Sequence, residues 1–174
     1  MAAVSRDEVR RGDLQVHHAP EGYSCPFCLV VAGVEAPNRK TRQRDVVLRR
    51  GQAVAFVASR WWPNNRGHVL VVPTTHYENI FDLPPELAVD IQRAAQTVAF
   101  AMKAVYRCDG VSTRQHSEPA GQQDVWHYHL HVYPRYRNDN LYLTLGTDSD
   151  PDERAEYAAR LAAWIEGEGT PGEA

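Results

Sequence analysis

The segment Trp126-His127-Tyr128-His129-Leu130-His131-Val132-Tyr133 constrains this chain more than any other, because imidazoles alternate along it with apolar or aromatic side chains. Read as a strand, it sends Trp126, Tyr128, Leu130 and Val132 to one face and His127, His129, His131 and Tyr133 to the other. Neighbours on one face lie roughly 6.5–7 Å apart, so the three imidazoles form a row matched in size to a phosphoryl or phosphoanhydride group. Clustered imidazoles also discourage one another from carrying a proton, which leaves one neutral and able to act as a nucleophile. Attack on phosphorus by such a nitrogen gives a labile phosphoramidate and divides one displacement into two easier ones. The neighbouring rings can donate to phosphoryl oxygens or protonate the leaving group.

Two other readings compete with this one. A lone buried histidine is usually a satisfied core residue, and His-x-His also occurs in metal sites built on strands. A metal-dependent oxidoreductase or hydrolase would use the row itself as ligands. The residues that follow His131, Tyr133-Pro134-Arg135-Tyr136-Arg137, bring no carboxylate to complete such a set.

At 174 residues the chain has room for one domain of about 150 residues and an extension. Residues 1–22 show neither strand nor helix period and are expected to form a flexible arm, with a single domain over 23–168 and a disordered tail over 169–174. Val46-Val47-Leu48 and Ala53 to Val57, joined through Gly51, predict a hairpin. His68 to Val72, closed by Pro73, predicts a buried central strand. Leu87, Ile91, Ala94, Val98, Met102 and Val105 recur at steps of three and four and predict a long helix within 82–107. Asp150-Pro151-Asp152-Glu153 has the signature of a helix start, and this C-terminal helix is expected to end near Gly167. The fold class is therefore α+β, with an antiparallel sheet, one long helix and a C-terminal helix.

Nineteen basic against twenty-two acidic residues give no global field that would draw in nucleic acid. Arg39, Lys40, Arg42, Arg44, Arg49 and Arg50 form a local cationic run. It reads either as a solvated rim or as an attractor for a phosphate-bearing ligand, without interleaved aromatics for base stacking. The longest apolar runs are strand-sized and the first twenty residues lack an apolar signal core, so a cytoplasmic location with no membrane partner is expected. Cys25-Pro26-Phe27-Cys28 has a spacing that suits one tetrahedral ion or a redox dithiol. The residues ahead of it, Ala19 to Ser24, do not form the strand that a dithiol active site normally follows.

His127-Tyr128-His129-Leu130-His131-Val132-Tyr133 resembles the signature of the histidine triad (HIT) superfamily, in which histidines alternate with apolar residues. The resemblance extends in order through Cys25-Pro26-Phe27-Cys28, Pro63 to Pro73, His76, the long helix and Gln123. It implies a HIT-like fold and hydrolysis or transfer of a nucleotidyl group from a phosphoramidate or phosphoanhydride, such as a dinucleoside polyphosphate. By that resemblance His129 is the nucleophile, His131 and His68 bind phosphate or move protons, and Gln123 contacts a phosphoryl oxygen. It further implies structural zinc on Cys25, Cys28, His76 and His127, no organic cofactor, and a homodimer whose sheets join. Arg60 stands where relatives often carry Asp or Asn for the ribose hydroxyls, and a cation cannot accept those hydrogen bonds. Arg60, Arg114 and Arg135 can add anion contacts if they point inward, with Trp61 or Trp62 as a stacking surface. The reading from a different class is a non-catalytic, zinc-stabilised nucleotide-binding or sensor module.

Overall fold

The structure is a computed structural model and describes residues 17–168. The proposed tail at 169–174 and residues 1–16 of the proposed arm lie outside the described residues. Residues 17–22 form no helix or strand, and the Glu78 carboxylate accepts the backbone N–H groups of His18 and Ala19.

In chain order the elements are α1 (Pro26–Val31), β1 (Val46–Arg50), β2 (Ala53–Val57), β3 (Arg60–Trp61), β4 (Val69–Pro73), α2 (Leu87–Val105), β5 (Gly110–Gln115), β6 (Leu130–Arg135), β7 (Thr147–Asp148) and α3 (Pro151–Glu168). Short 3-10 turns lie at Gln43–Asp45 and Pro119–Gly121. The main sheet runs β1-β2-β4-β6-β5 with every neighbour antiparallel, and β3 pairs separately with β7. The α+β class, the long helix and the C-terminal helix are as the sequence leads one to expect.

Strands β2 and β4 read as unbroken apolar runs because both of their faces are covered. Ala53, Ala55, Val57, Val69 and Val71 pack with Ile91, Ala94, Val98 and Met102 of α2 and with Ala158, Leu161 and Ile165 of α3. The alternate residues Val54, Phe56, Leu70 and Val72 pack with Phe27 and Val30 of α1. This division decides where the chemistry can sit. Val132 points to the helical side, so its neighbours His131 and Tyr133 share the other face, which only short α1 and loops cover.

Two boundaries differ from the sequence reading. The strand expected from Trp126 begins at Leu130, where pairing with Val71 starts. Before it the chain bends, with the Tyr128 N–H donating to Tyr77 O at 2.6 Å. Although β4 runs on to Pro73, the ladder is not continued, because the Tyr128 N–H is taken by Tyr77 O and Pro73 O accepts from the His127 ring. The long helix starts at Leu87 rather than near Asp82, because Pro84 and Pro85 disfavour helical backbone in the residues before them. It stops where Arg107 takes φ 55°, just past the Tyr106 cap. The start of α3 matches expectation: Asp150 Oδ1 accepts the N–H groups of Asp152 and Glu153, each at 2.9 Å.

Gly67 has φ 74°, and a Cβ there would lie 2.3 Å from Tyr157 Cδ1 and 2.9 Å from Tyr106 Oη. It lets the chain pass beneath α3 and enter β4 with His68 on the open face. Gly67→Ala combines left-handed strain with overpacking and is expected to cost about 2–5 kcal/mol, read as a lower urea midpoint.

Candidate active site

The imidazole row is assembled by sheet register. In the β4–β6 ladder Leu70 lies opposite His131, and His68 is two residues before Leu70, so both rings project from the same face. His68 and His131 stack at 5.2 Å between centroids, and His129 meets His131 at 4.9 Å. Phe27 of α1 packs edge-on against His129 at 5.3 Å.

Hydrogen bonds fix the tautomers. A carbonyl can only accept, so the 2.7 Å contact between His129 Nδ1 and His127 O places the proton on Nδ1 and leaves Nε2 as a lone pair. By the same logic His68 donates from Nδ1 to Arg60 O at 3.1 Å. Its Nε2 then accepts from His131 Nδ1 at 3.0 Å, which leaves the Nε2 of His131 unprotonated. Burial disfavours the imidazolium throughout. It holds His68 down at about 3 and drives His129 and His131 below the ordinary histidine value, His131 well below. The row is therefore neutral at pH 7 and carries unprotonated Nε2 atoms on His129 and His131.

His68 also carries a stability prediction. Unfolded, it titrates near 6.5; folded, it stays neutral down to about 3. Between those values the unfolded chain binds the extra proton, so stability falls as the pH drops through that window and is unaffected above it. His68→Gln should lower proton uptake on unfolding by about one in this window, a slope of about 1.4 kcal/mol per pH unit, measured by urea titrations at several pH values.

Two cavities flank the row. The first, about 330 Å³, has Phe27, Leu70 and Val125 in its walls and reaches His68, His129 and His131. The second, about 420 Å³, lies on the Tyr133 side of His131 and includes Arg114, His116 and Tyr142. Arg60, Trp62, Asp124 and His131 line both and form the waist between them.

Of the residues expected to contact substrate, Arg60 and Trp62 reach this waist. Trp62 sets its ring edge against His68 at 5.8 Å while its indole N–H donates to Thr144 O, and Arg60 Nε donates to Gly146 O. Gln123 and Arg135 line neither cavity. Gln123 Nε2 donates to Glu78 O and Val125 O, and its Oε1 accepts from Glu118 N–H, so the side chain ties loops together. Arg135 makes a two-point pair with Asp139, at 2.6 and 2.8 Å, and donates to Ser112 Oγ. The sequence reading did not find His116, whose ring meets His131 at 5.4 Å, or Asp124. Their signal lay in tertiary placement, since His116 follows an edge strand whose register only the β5–β6 ladder sets.

A second cluster lies behind His129. Cys25, Cys28, His76 and His127 offer ligand atoms all within 4.8 Å of one another and can hold a metal ion. Three sulfur–nitrogen separations are 3.3, 3.4 and 3.6 Å. Tetrahedral zinc, with Zn–S about 2.3 Å and Zn–N about 2.0 Å, needs an edge of about 3.5 Å. His127 Nε2 donates to Pro73 O at 3.1 Å, so its Nδ1 lone pair faces the thiols. Burial and the neighbouring Cys25 push the Cys28 thiol up to about 12, the opposite of a reactive redox cysteine. A cation would supply what this donor set lacks.

Comparison with known proteins agrees with this geometry. The family model described as the HIT domain matches residues 39–138. An uncharacterised HIT-like protein of Mycobacterium tuberculosis is 34% identical over 133 residues, covering 75% of this chain and 86% of that one. The adenosine 5'-monophosphoramidase of Saccharomyces cerevisiae is 27% identical over 147 residues, covering 83% and 84%. Among solved structures, a zinc-bound histidine triad family protein from Mycobacterium smegmatis is 28% identical with a TM-score of 0.67, covering 84% of this chain and 98% of that chain. Among the described residues no helix is long and apolar enough to cross a membrane.

Proposed function

This chain belongs to the HIT domain family, and from that premise we propose that it is a nucleotide hydrolase or nucleotidyl transferase working through a covalent intermediate on His129. The observation that carries this reading is the 2.7 Å bond from His129 Nδ1 to His127 O, which aims chemistry at the other nitrogen of a ring that lines the first cavity. In the first step Nε2 of His129 bonds to phosphorus, and the bond from phosphorus to the leaving group breaks with its electron pair departing on that group. In the second, a water oxygen or another acceptor attacks the phosphorus, the P–N bond breaks, and its pair returns to Nε2. A phosphoramidate and a phosphoanhydride both fit this scheme.

His131 and His68 act as one unit, because each fixes the tautomer of the other. His131 Nε2 is the free nitrogen of the pair: it takes the proton of the attacking water, or a solvent proton for the leaving group, while His68 acts through it by holding its Nδ1 proton. The apolar first cavity takes the nucleoside, with Trp62 at its inner end. Gln123 and Arg135 act as positioning residues, holding the loops on either side of the row. A zinc ion held by Cys25, Cys28, His76 and His127 would supply no reacting atom; it would tie α1 to the turn that delivers His129. Two copies are proposed to meet along the free edge of β5, the terminal strand of the sheet.

The test is a panel of adenylated and guanylated phosphoramidates and phosphoanhydrides assayed for release of nucleoside monophosphate. Turnover of at least one member is expected. Tight binding across the panel with no release would favour the sensor reading.

A further inference from the structure

The first cavity shares a wall with a cationic space. Arg39, Lys40 and Ser59 line both the cavity beside the imidazoles and a neighbouring space of about 350 Å³ that none of the imidazoles reaches. The wall is close to the chemistry: Ser59 directly follows Ala58, whose N–H donates to His68 O at 2.9 Å.

The charge there does not follow from composition, since the whole chain carries a net charge of -3. Arg39, Lys40, Arg42, Arg44 and Arg154 line the space, and Asp148 is the one carboxylate lining it among the described residues. Two of these cations are structural. Arg154, 1% exposed, pairs with Asp45 at 2.8 Å and donates to Ser149 Oγ and Lys40 O, and Arg42 donates to Ala36 O and Pro37 O. They fix the backbone from which the others extend. Lys40 and Arg44 are held by Asp148 and Asp152, which are 65% and 83% exposed. Water-exposed pairs of this kind contribute about 0–1 kcal/mol and exchange easily for a dianion. Arg39 commits Nη2 to Ser24 O, and Ser59 adds a neutral hydroxyl to the shared wall.

We propose that the nucleotide bound here carries a second phosphate on its ribose, held by Arg39 and Lys40 at this wall while the 5'-phosphorus faces His129. The inference rests on the nucleotide reading of the site and narrows its substrate class to nucleotides phosphorylated on the 2' or 3' hydroxyl. A ribose joins its two phosphates within one nucleotide, and Arg39 and Lys40 line the same cavity as His129. Charge-assisted bonds to a dianion supply the selectivity.

Calorimetric titration of the full chain with adenosine 5'-monophosphate, adenosine 2',5'-bisphosphate and adenosine 3',5'-bisphosphate, and with the guanosine series, tests this. One bisphosphate is expected to bind at least about tenfold tighter than the monophosphate, and the identity of that isomer assigns the hydroxyl. The ratio should shrink at raised salt and fall to about one in the Arg39→Gln, Lys40→Gln double variant. Equal affinity for mono- and bisphosphates in the wild type overturns the inference alone, as does a ratio unchanged in the double variant. Absence of binding by every nucleotide overturns the inference together with the proposed function.

Discussion

Replacing His129 with alanine is expected to reduce nucleotidyl turnover at least about a thousandfold while nucleotide binding persists. The effect is large because the P–N bond forms on His129 Nε2, while the one free nitrogen of the His68–His131 pair, His131 Nε2, is placed to move the proton. His68 spends Nδ1 on Arg60 O and Nε2 on His131, and His131 spends Nδ1 on that same contact. His127 is turned away, with Nε2 on Pro73 O and Nδ1 toward the thiols. Binding survives because Phe27, Leu70, Val125 and Trp62 still wall the first cavity. Single-turnover assays, with affinity measured in parallel, separate the two effects. An alanine variant that retains turnover within tenfold of wild type contradicts the assignment.

The second large effect concerns the thiol cluster. Cys25→Ser is expected to lower bound zinc from about one per chain to near zero and to cost about 3–5 kcal/mol, a fall of about 10 °C in Tm. Helix α1 has six residues and no side-chain cap, too short to hold itself. It is retained by Phe27 and Val30 on the sheet and by its two cysteines on His76 and His127. Loss of that tie frees the Phe27 ring that packs on His129, so activity should fall with stability. Elemental analysis and thermal melts of wild type and variant, with and without chelator, read this out. Zinc retained in the variant, or wild type indifferent to chelator, contradicts the assignment.

How much of this could be read from residues alone depended on the range of the interactions involved. The hairpin around Gly51, the buried run closed by Pro73 and the Asp150 cap are local patterns, and each falls where its sequence says. The alternation at 126–133 correctly put His129 and His131 beside the same cavity, but not the start of the strand. Alternation reports which face a side chain prefers and carries nothing about where pairing with a partner strand stops. Gln123 and Arg135 show a related limit. A polar side chain near a site can be consumed by backbone carbonyls or by Asp139, and the partners lie far off in sequence or in a turn of undefined shape. Short pairs such as β3 with β7 leave no periodic trace, yet this ladder brings the 139–146 loop against Trp62 and completes the second cavity. The cationic run at 39–50 split in two. Arg42 and Arg49 hold loop carbonyls, and Arg39 and Lys40 line the first cavity.

The proposed chemistry turns on a transient bond between phosphorus and Nε2 of His129. Wild-type protein mixed with isotopically labelled nucleotidyl substrate, quenched within a single turnover in alkali and digested, can be mapped by mass spectrometry. A nucleotidyl adduct on the peptide containing His129, localised to that ring and absent from His129→Ala, is the predicted result. Turnover with no adduct at His129, or with label on a different side chain, contradicts it.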